Sequence, residues 1–125
     1  MNKRFAVCCA GLCFALASVA FGQDAVKVDP AHYKVEFENA KVRVLHFHYA
    51  PGEKSVMHSH PDAVAVFLSD GKVKFTLPDG KTQDAALKTG EAQYTPAQVH
   101  LPENTGTTAV DGIVIELKGG NGKMK

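Results

Sequence analysis

The sequence predicts an all-β protein with a single domain, and three observations support this. Several segments alternate apolar and polar residues with a period of two, which places successive side chains on opposite faces of a strand. Turn-forming residues recur about every ten residues, as in a β-sandwich or barrel. No segment has the period and length of a buried helix. The chain has 125 residues, enough for one domain.

The first segment is expected to be a signal peptide. Met1–Gly22 has basic residues at Lys3 and Arg4, then an apolar run, and then small residues before Gln23. This pattern predicts cleavage after Gly22 and a periplasmic or secreted protein with no membrane association after cleavage. The alternatives are a retained anchor, for which the apolar run is short, and lipid attachment at a cysteine, for which the usual preceding residues are missing.

The exported domain is expected to be residues 23–125, and its composition excludes several function classes. All three cysteines lie in the leader, so the domain has no thiol nucleophile and no thiolate metal ligand. The formal charge of the whole chain is +1, and no basic patch with interleaved aromatics indicates a nucleic-acid partner. Neither a serine–histidine–acid spacing nor a conspicuous carboxylate pair indicates hydrolysis. A tail at about 119–125 is expected to be loose.

Nine short strands are expected after a lead-in segment, Gln23–Ala31, which we interpret as a turn or a strand. Hairpin turns are predicted at Asp70-Gly71 and Asp79-Gly80. The fourth strand is apolar on both faces, which is typical of a strand covered on both sides. The predicted strands are His32–Asn39, Lys41–Ala50, Ser55–His60, Ala63–Ser69, Lys72–Leu77, Lys81–Leu87, Glu91–Thr95, Gln98–Leu101 and Ala109–Leu117.

Histidines spaced two apart are the most informative polar residues. His58 and His60 lie in the stretch Pro51–Gly71, and in a strand both side chains point to the same face, as a shared ligand requires. His46 and His48 repeat the spacing one strand earlier. They either line the same pocket or lie on the exposed face of an edge strand. Gln93 either offers its amide oxygen to the pocket or is a surface residue.

Two motifs resemble the two signatures of the cupin superfamily. The first signature contains a His-x-His pair between two glycines, and the second contains a proline, a histidine and an asparagine after a glycine. The resemblance implies a jelly-roll β-barrel with a central pocket and a metal site formed by His58, His60 and His100. The matching residues are Gly52, His58, His60 and Gly71 for the first signature, and Gly90, Pro96, His100 and Asn104 for the second.

The chain departs from these signatures at the position of the metal-binding glutamate. The signature has three or four residues between its second histidine and the glutamate. Val64 occupies that position, and neither neighbour, Ala63 or Ala65, is acidic. Gln98 also replaces a usual glycine. Three neutral imidazoles remain a sufficient set of ligands for Fe, Zn, Ni, Cu or Mn, with weaker affinity and more room for an anion. The alternative is that the histidines line an empty pocket or one that holds an organic ligand. If Val64 lines the pocket, Val64→Glu is expected to tighten metal binding.

Three functions remain open at this point. The first is a binding module for a divalent metal, a small molecule, or both. The second is an enzyme: a three-histidine Fe(II) dioxygenase, as the resemblance implies for some family members, or an isomerase with His46 or His48 as its base. The third is a structural homodimer that pairs through the strands Lys41–Ala50 and Ala109–Leu117 as exposed edges. The sequence indicates neither the metal nor the substrate.

Overall fold

A computed structural model describes residues 23–119, which form a jelly-roll β-barrel of two antiparallel sheets and confirm the all-β prediction. The five-stranded sheet has the order β1-β2-β9-β4-β7 and the four-stranded sheet the order β3-β8-β5-β6. No helix within 23–119 is long and apolar enough to cross a membrane. The elements are α1 (Ala25–Val28), β1 (Tyr33–Glu38), β2 (Val42–Tyr49), β3 (His58–His60), β4 (Ala63–Phe67), β5 (Gly71–Thr76), β6 (Thr82–Leu87), β7 (Ala92–Thr95), β8 (Gln98–Asn104) and β9 (Val110–Leu117).

The segment before β1 begins with a short helix that was not predicted, and the expected turn follows it at Pro30–His32. The carboxylate of Asp24 caps α1 by accepting the backbone N–H of Lys27 at 3.2 Å. Ala25 is fully buried. A four-residue helix is too short to show a period, so the sequence pattern could not reveal it.

This segment lies against the edge strand β3. Asp24 forms an isolated parallel bridge with Ser59, and the N–H of Ser59 donates to the carbonyl of Gln23 at 2.8 Å. Because β3 has three residues and pairs with β8 on one side, the N-terminal segment provides its other lateral support.

One of the two predicted hairpins is wrong. β4 pairs with β7 and β9, whereas β5 pairs with β6 and β8, so the chain crosses between the sheets at Asp70-Gly71. The side chain of Asp70 instead accepts two hydrogen bonds from Thr89, each at 2.8 Å. The hairpin at Asp79-Gly80 is confirmed, since β5 pairs with β6 and Gly80 has the positive φ of 86° that such a turn uses.

Strand β8 continues beyond the predicted end at Leu101 as far as Asn104, because the Asn104 side chain is buried and fixes the strand end. Its amide donates to the carbonyls of Tyr49 at 3.0 Å and Thr108 at 2.8 Å. The asparagine of the second motif therefore has a structural role.

Both strands that were expected to be edges are interior. β2 lies between β1 and β9, and β9 lies between β2 and β4, so neither has a free hydrogen-bonding edge. The prediction that a homodimer forms by pairing these strands edge to edge was therefore wrong.

Candidate functional site

Strands β3 and β8 bring the three predicted histidines together. His58 and His60 project from one face of β3, and His58 lies directly opposite His100 in the antiparallel register. The ring centroids are 4.9 Å apart for His58–His60 and His58–His100, and 5.4 Å apart for His60–His100. One ligand-capable atom on each residue lies within 4.8 Å of the other two. All three residues are buried.

The surroundings of His58 fix its tautomer. Its Nδ1 lies 2.8 Å from the carbonyl oxygen of Val56, which can only accept, so Nδ1 carries the hydrogen. The other ring nitrogen, Nε2, then keeps its lone pair. Hydrogen bonding of this kind orients metal-binding histidines in proteins.

Each histidine carries a buried ring nitrogen without a hydrogen-bond partner among residues 23–119: Nε2 of His58, Nδ1 of His60 and Nε2 of His100. A buried polar atom left without a partner costs about 1–3 kcal/mol. Each histidine thus has a ring nitrogen without a partner, and the ligand-capable atoms of the three lie close enough together for one bound cation. The donor set of three imidazoles therefore fits a borderline-soft divalent ion.

Burial keeps the imidazoles of His58 and His100 neutral. Desolvation, with a further contribution from His60, lowers the pKa of His58 to about 4. Desolvation and the neighbouring His60 and His58 lower the pKa of His100 to about 3. Neutral imidazole is the form that binds a metal, so no proton competes with a metal ion at His58 and His100 near neutral pH.

A cavity of about 290 Å³ adjoins the histidines. Its walls are mainly aromatic and aliphatic. Phe75 stacks on His100 with ring centroids 5.1 Å apart, and Tyr33 lies edge-on to His58 at 4.9 Å. The hydroxyls of Tyr33 and Tyr49 are hydrogen-bonded to each other at 3.0 Å, and burial raises the pKa of both phenols, that of Tyr49 to about 12. The cavity thus offers a small ligand an apolar surface and two neutral hydroxyls.

The structure places Gln93 on the cavity lining, whereas Val64 is not on it, so the expectation that Val64 lines the pocket was wrong. Ala65 lies on the lining instead and pairs with Gln93 across β4 and β7. Val64 pairs with Tyr94 and Ile115 on the opposite, outer face of the sheet. The inward position has no carboxylate either, because it is an alanine.

His46 and His48 do not contribute to the pocket. They lie on the outer face of β2, where Nε2 of His46 and Nδ1 of His48 donate to the same oxygen of Asp111 at 3.1 and 2.9 Å. The proposed role of either residue as a pocket ligand or an isomerase base was therefore wrong.

A buried carboxylate that the sequence analysis missed lies beside His60. Oε1 of Glu116 is 3.9 Å from Nδ1 of His60, too far for a hydrogen bond, and the residue is only 2% exposed. Arg43 donates to both oxygens of Glu116, at 2.8 and 3.2 Å, and also pairs with Asp24. The signal was present in the sequence, because Glu116 falls on the inward side of the alternation of β9, with Val110 and Val114.

A second buried carboxylate, Asp29, lies behind His58. The hydroxyl of Ser55 donates to Asp29 at 2.5 Å and lies 3.2 Å from Nδ1 of His58. Asp29 also accepts from Nδ1 of His32 at 2.8 Å, and Nε2 of His32 donates to Glu53 at 2.7 Å. Since carboxylates only accept, both ring nitrogens of His32 carry hydrogen and the ring is cationic. The sequence offered no signal for this contact between distant segments.

The chain is similar to several known proteins. The family model described as the cupin domain matches residues 45–116. Over 86 residues the chain is 34% identical to the beta-alanine degradation protein BauB of Pseudomonas aeruginosa, covering 67% of this chain and 90% of the relative.

Solved structures show the same fold. A cupin domain from Bordetella pertussis has a TM-score of 0.65 and 26% identity, covering 70% of this chain and 92% of that one. A conserved protein with a double-stranded β-helix domain from Klebsiella pneumoniae has a TM-score of 0.57 and 24% identity, covering 70% of this chain and 76% of that one. The family match, the relative and the shared fold agree with the motifs that carry the three histidines. The chain therefore belongs to the cupin family.

Proposed function

We propose that the protein is an exported small cupin that binds a divalent metal through His58, His60 and His100, with a small molecule in the adjoining cavity and without turnover. The observation that supports this proposal is the group of three buried histidines, each with a ring nitrogen that has no hydrogen-bond partner among residues 23–119, and with ligand-capable atoms within 4.8 Å of one another. Fe, Zn, Ni, Cu and Mn all remain candidates, because three imidazoles do not select among them.

Each residue has a definable part in such a site. His58 is held by the carbonyl of Val56, and His100 is held by stacking on Phe75, so both rings are oriented before a metal arrives. A bound divalent ion would act as a Lewis acid with open positions facing the cavity. The hydroxyl of Tyr33, which accepts from Tyr49, would donate its own hydrogen to an oxygen of the small molecule.

Metal analysis tests the proposal. The protein is stripped with chelator, reconstituted with Zn²⁺, Ni²⁺ or Fe²⁺, desalted and analysed for metal content. We expect about one ion per chain in the wild type, a large loss in His58→Ala and His100→Ala, and wild-type content in the matched variant His48→Ala, which removes a surface imidazole. A wild type without stoichiometric metal contradicts the proposal.

The adjoining cavity favours a second candidate, a three-histidine Fe(II) dioxygenase acting on a small molecule. An oxygen electrode with the iron-loaded protein separates the two candidates, using small thiols and β-diketones as substrates. The name of the Pseudomonas relative associates that protein with beta-alanine degradation, so β-alanine belongs in the same panel. Oxygen consumption above the His58→Ala background supports the enzyme, and binding without consumption supports the binding module.

We also propose that the chain forms a homodimer through the outer face of the five-stranded sheet, in place of the edge pairing predicted from the sequence. One apolar row runs in register across all five strands, from Phe37 on β1 to Tyr94 on β7, and these two end residues are 55% and 62% exposed. The apolar residues of this face are Phe37, Val42, Val44, Val64, Val66, Tyr94, Ile113, Ile115 and Leu117.

A second copy is the occupant that fits this face. Five strands about 4.8 Å apart and three rows about 6.7 Å apart give a face on the order of 450 Å². One row is apolar throughout, and the rows on either side of it are partly apolar. With a polar rim, such a patch approaches the ~800 Å² per partner of a stable complex. We expect the wild type to be a dimer by light scattering, Val64→Glu to be a monomer, and Thr82→Glu on the other sheet to stay dimeric. A monomeric wild type at about 50 µM, or a dimeric Val64→Glu, contradicts the interface.

The export of the protein remains part of the proposal, since Met1–Gly22 lies outside the described residues. N-terminal sequencing of protein recovered from a periplasmic extract is expected to begin at Gln23. A sequence that begins at Met1 contradicts it.

A further inference from the structure

Two clusters with the same charge pattern flank the three histidines. In the first, Arg43 lies between the carboxylates of Asp24 and Glu116, and Glu116 is 3.9 Å from His60. In the second, the cationic ring of His32 lies between two other carboxylates, Asp29 and Glu53, at 2.8 and 2.7 Å. Each cluster has two carboxylates and one cation, so each carries one net negative charge.

The inner carboxylate of each cluster is buried and is separated from a histidine by at most one group. Glu116 faces His60 directly, whereas Asp29 reaches His58 through the hydroxyl of Ser55 at 2.5 and 3.2 Å. Glu116 is 2% and Asp29 7% exposed. Charges in such surroundings are weakly screened by water, so each acts on the site more strongly than a surface carboxylate does.

We propose that the negative charges of Glu116 and Asp29 stabilise a divalent cation bound at the three histidines, although neither residue is a ligand. They take the place of the charge of the motif glutamate, which this chain lacks. The inference rests on the proposed metal binding. Two clusters with one negative charge each balance the two charges of the ion, although all three ligands are neutral. Both residues act as positioning and charge-balancing residues, and neither binds the ion directly.

Four residues of the two clusters lie outside the matched family region, whereas Glu116 and Glu53 lie inside it. Asp24, Asp29, His32 and Arg43 all precede residue 45, where the family match begins. The N-terminal segment therefore adds charge to a site whose ligands lie inside the matched region. Ser55 further links Asp29 to the N–H side of the His58 ring, which keeps the other ring nitrogen directed to the site.

The test is the affinity of the metal-free protein for Zn²⁺ and Co²⁺, measured by competition with a chromogenic chelator. We expect Glu116→Gln and Asp29→Asn each to weaken binding by about 10-fold, as outer groups of metal sites typically do. Glu116→Asp, which keeps the charge, is expected to recover most of the affinity. The matched control is Glu103→Gln on β8, which removes the same charge from a partly exposed ion pair with Lys74. It is expected to change the affinity by less than about 2-fold.

The outcomes separate this inference from the proposed function. If the wild type binds neither ion, metal binding itself fails. If the wild type binds and Glu116→Gln and Asp29→Asn bind equally well, the site stands and the charge-balancing role is overturned. An equal loss of affinity in Glu103→Gln also overturns the charge-balancing role, since a general charge effect would then explain the result. A loss of affinity in Glu116→Gln that remains in Glu116→Asp overturns it as well, since a packing defect would then explain the result. Thermal melts of the metal-free variants check that each is folded.

Discussion

The metal-free protein should lose stability between pH 6.5 and pH 5.0 because of two histidines. His58 and His100 have pKa values of about 4 and about 3 in the folded chain, against 6.5 when unfolded. Above pH 6.5 the two histidines are neutral in both the folded and the unfolded chain, so they do not change the free energy of unfolding. Below it the unfolded state binds protons that the folded state does not, so the free energy of unfolding falls as the pH falls toward the folded values.

The size of the loss follows from the pKa difference. The two histidines together contribute about 3 kcal/mol between pH 6.5 and pH 5.0. This is a large share of the ~5–15 kcal/mol that stabilises a typical domain. Asp24 and Glu53 do not contribute in this pH range, because their pKa values are lowered in the folded chain and their stabilisation is lost only at more acidic pH.

Urea denaturation in the presence of chelator measures this dependence. We expect His100→Gln to lose about half of the pH slope, because it removes one of the two groups. His32 should act with the opposite sign. Burial opposes its protonation, but its hydrogen bonds to Glu53 and Asp29 outweigh burial and raise its pKa. Its stabilisation is therefore greatest at acidic pH, and His32→Gln should steepen the loss. A wild-type free energy of unfolding that stays flat from pH 6.5 to pH 5.0 contradicts the lowered pKa values of His58 and His100.

Three further predictions concern the cavity and the site. Ala65→Glu places a carboxylate on the cavity lining and should tighten Zn²⁺ binding by about 10-fold or more in the chelator competition assay. Val64→Glu, on the outer face, should leave the Zn²⁺ affinity unchanged. Tighter binding in Val64→Glu than in Ala65→Glu contradicts the assigned faces. Gly112→Ala puts a Cβ 2.2 Å from Cζ of Phe47 and 2.9 Å from the carbonyl oxygen of Val66, so the free energy of unfolding should fall by about 2 kcal/mol in urea titrations, and no change would mean that Phe47 moves freely. Zn²⁺ at 100 times its dissociation constant should stabilise the folded protein by about 2.7 kcal/mol, seen as a rise in melting temperature that chelator reverses and that His58→Ala abolishes.

The repeating features of the fold were predictable from the sequence, because alternation with a period of two directly reports which residues face the core. The histidine cluster was predictable for the same reason, since His58 and His60 share a face and the second motif supplied His100. The features that were mispredicted depend on contacts between distant segments. The chain crosses between sheets at Asp70-Gly71. The two turn residues look the same in the sequence whether the strands on either side pair with each other or not.

The position of the missing carboxylate shows the same limit. The motif allows three or four residues before its glutamate, so the sequence could not decide whether Val64 or Ala65 faces the cavity. The pairing of β4 with β7 shows that it is Ala65. Glu116 could have been predicted as buried from its place in β9. Its partner Arg43 lies 73 residues away and could not have been identified without the fold.

The bridge between Asp24 and Ser59 also has a practical consequence for choosing fragments of this protein. A fragment cut to the family match, residues 45–116, keeps all three histidines and both motifs. It removes the segment that supports the outer edge of β3, together with Asp29 and Arg43, which hold Ser55 and Glu116 beside the rings. We therefore expect a fragment that begins near residue 23 to keep the proposed metal site, and a fragment cut to the family match to lose the residues that support it.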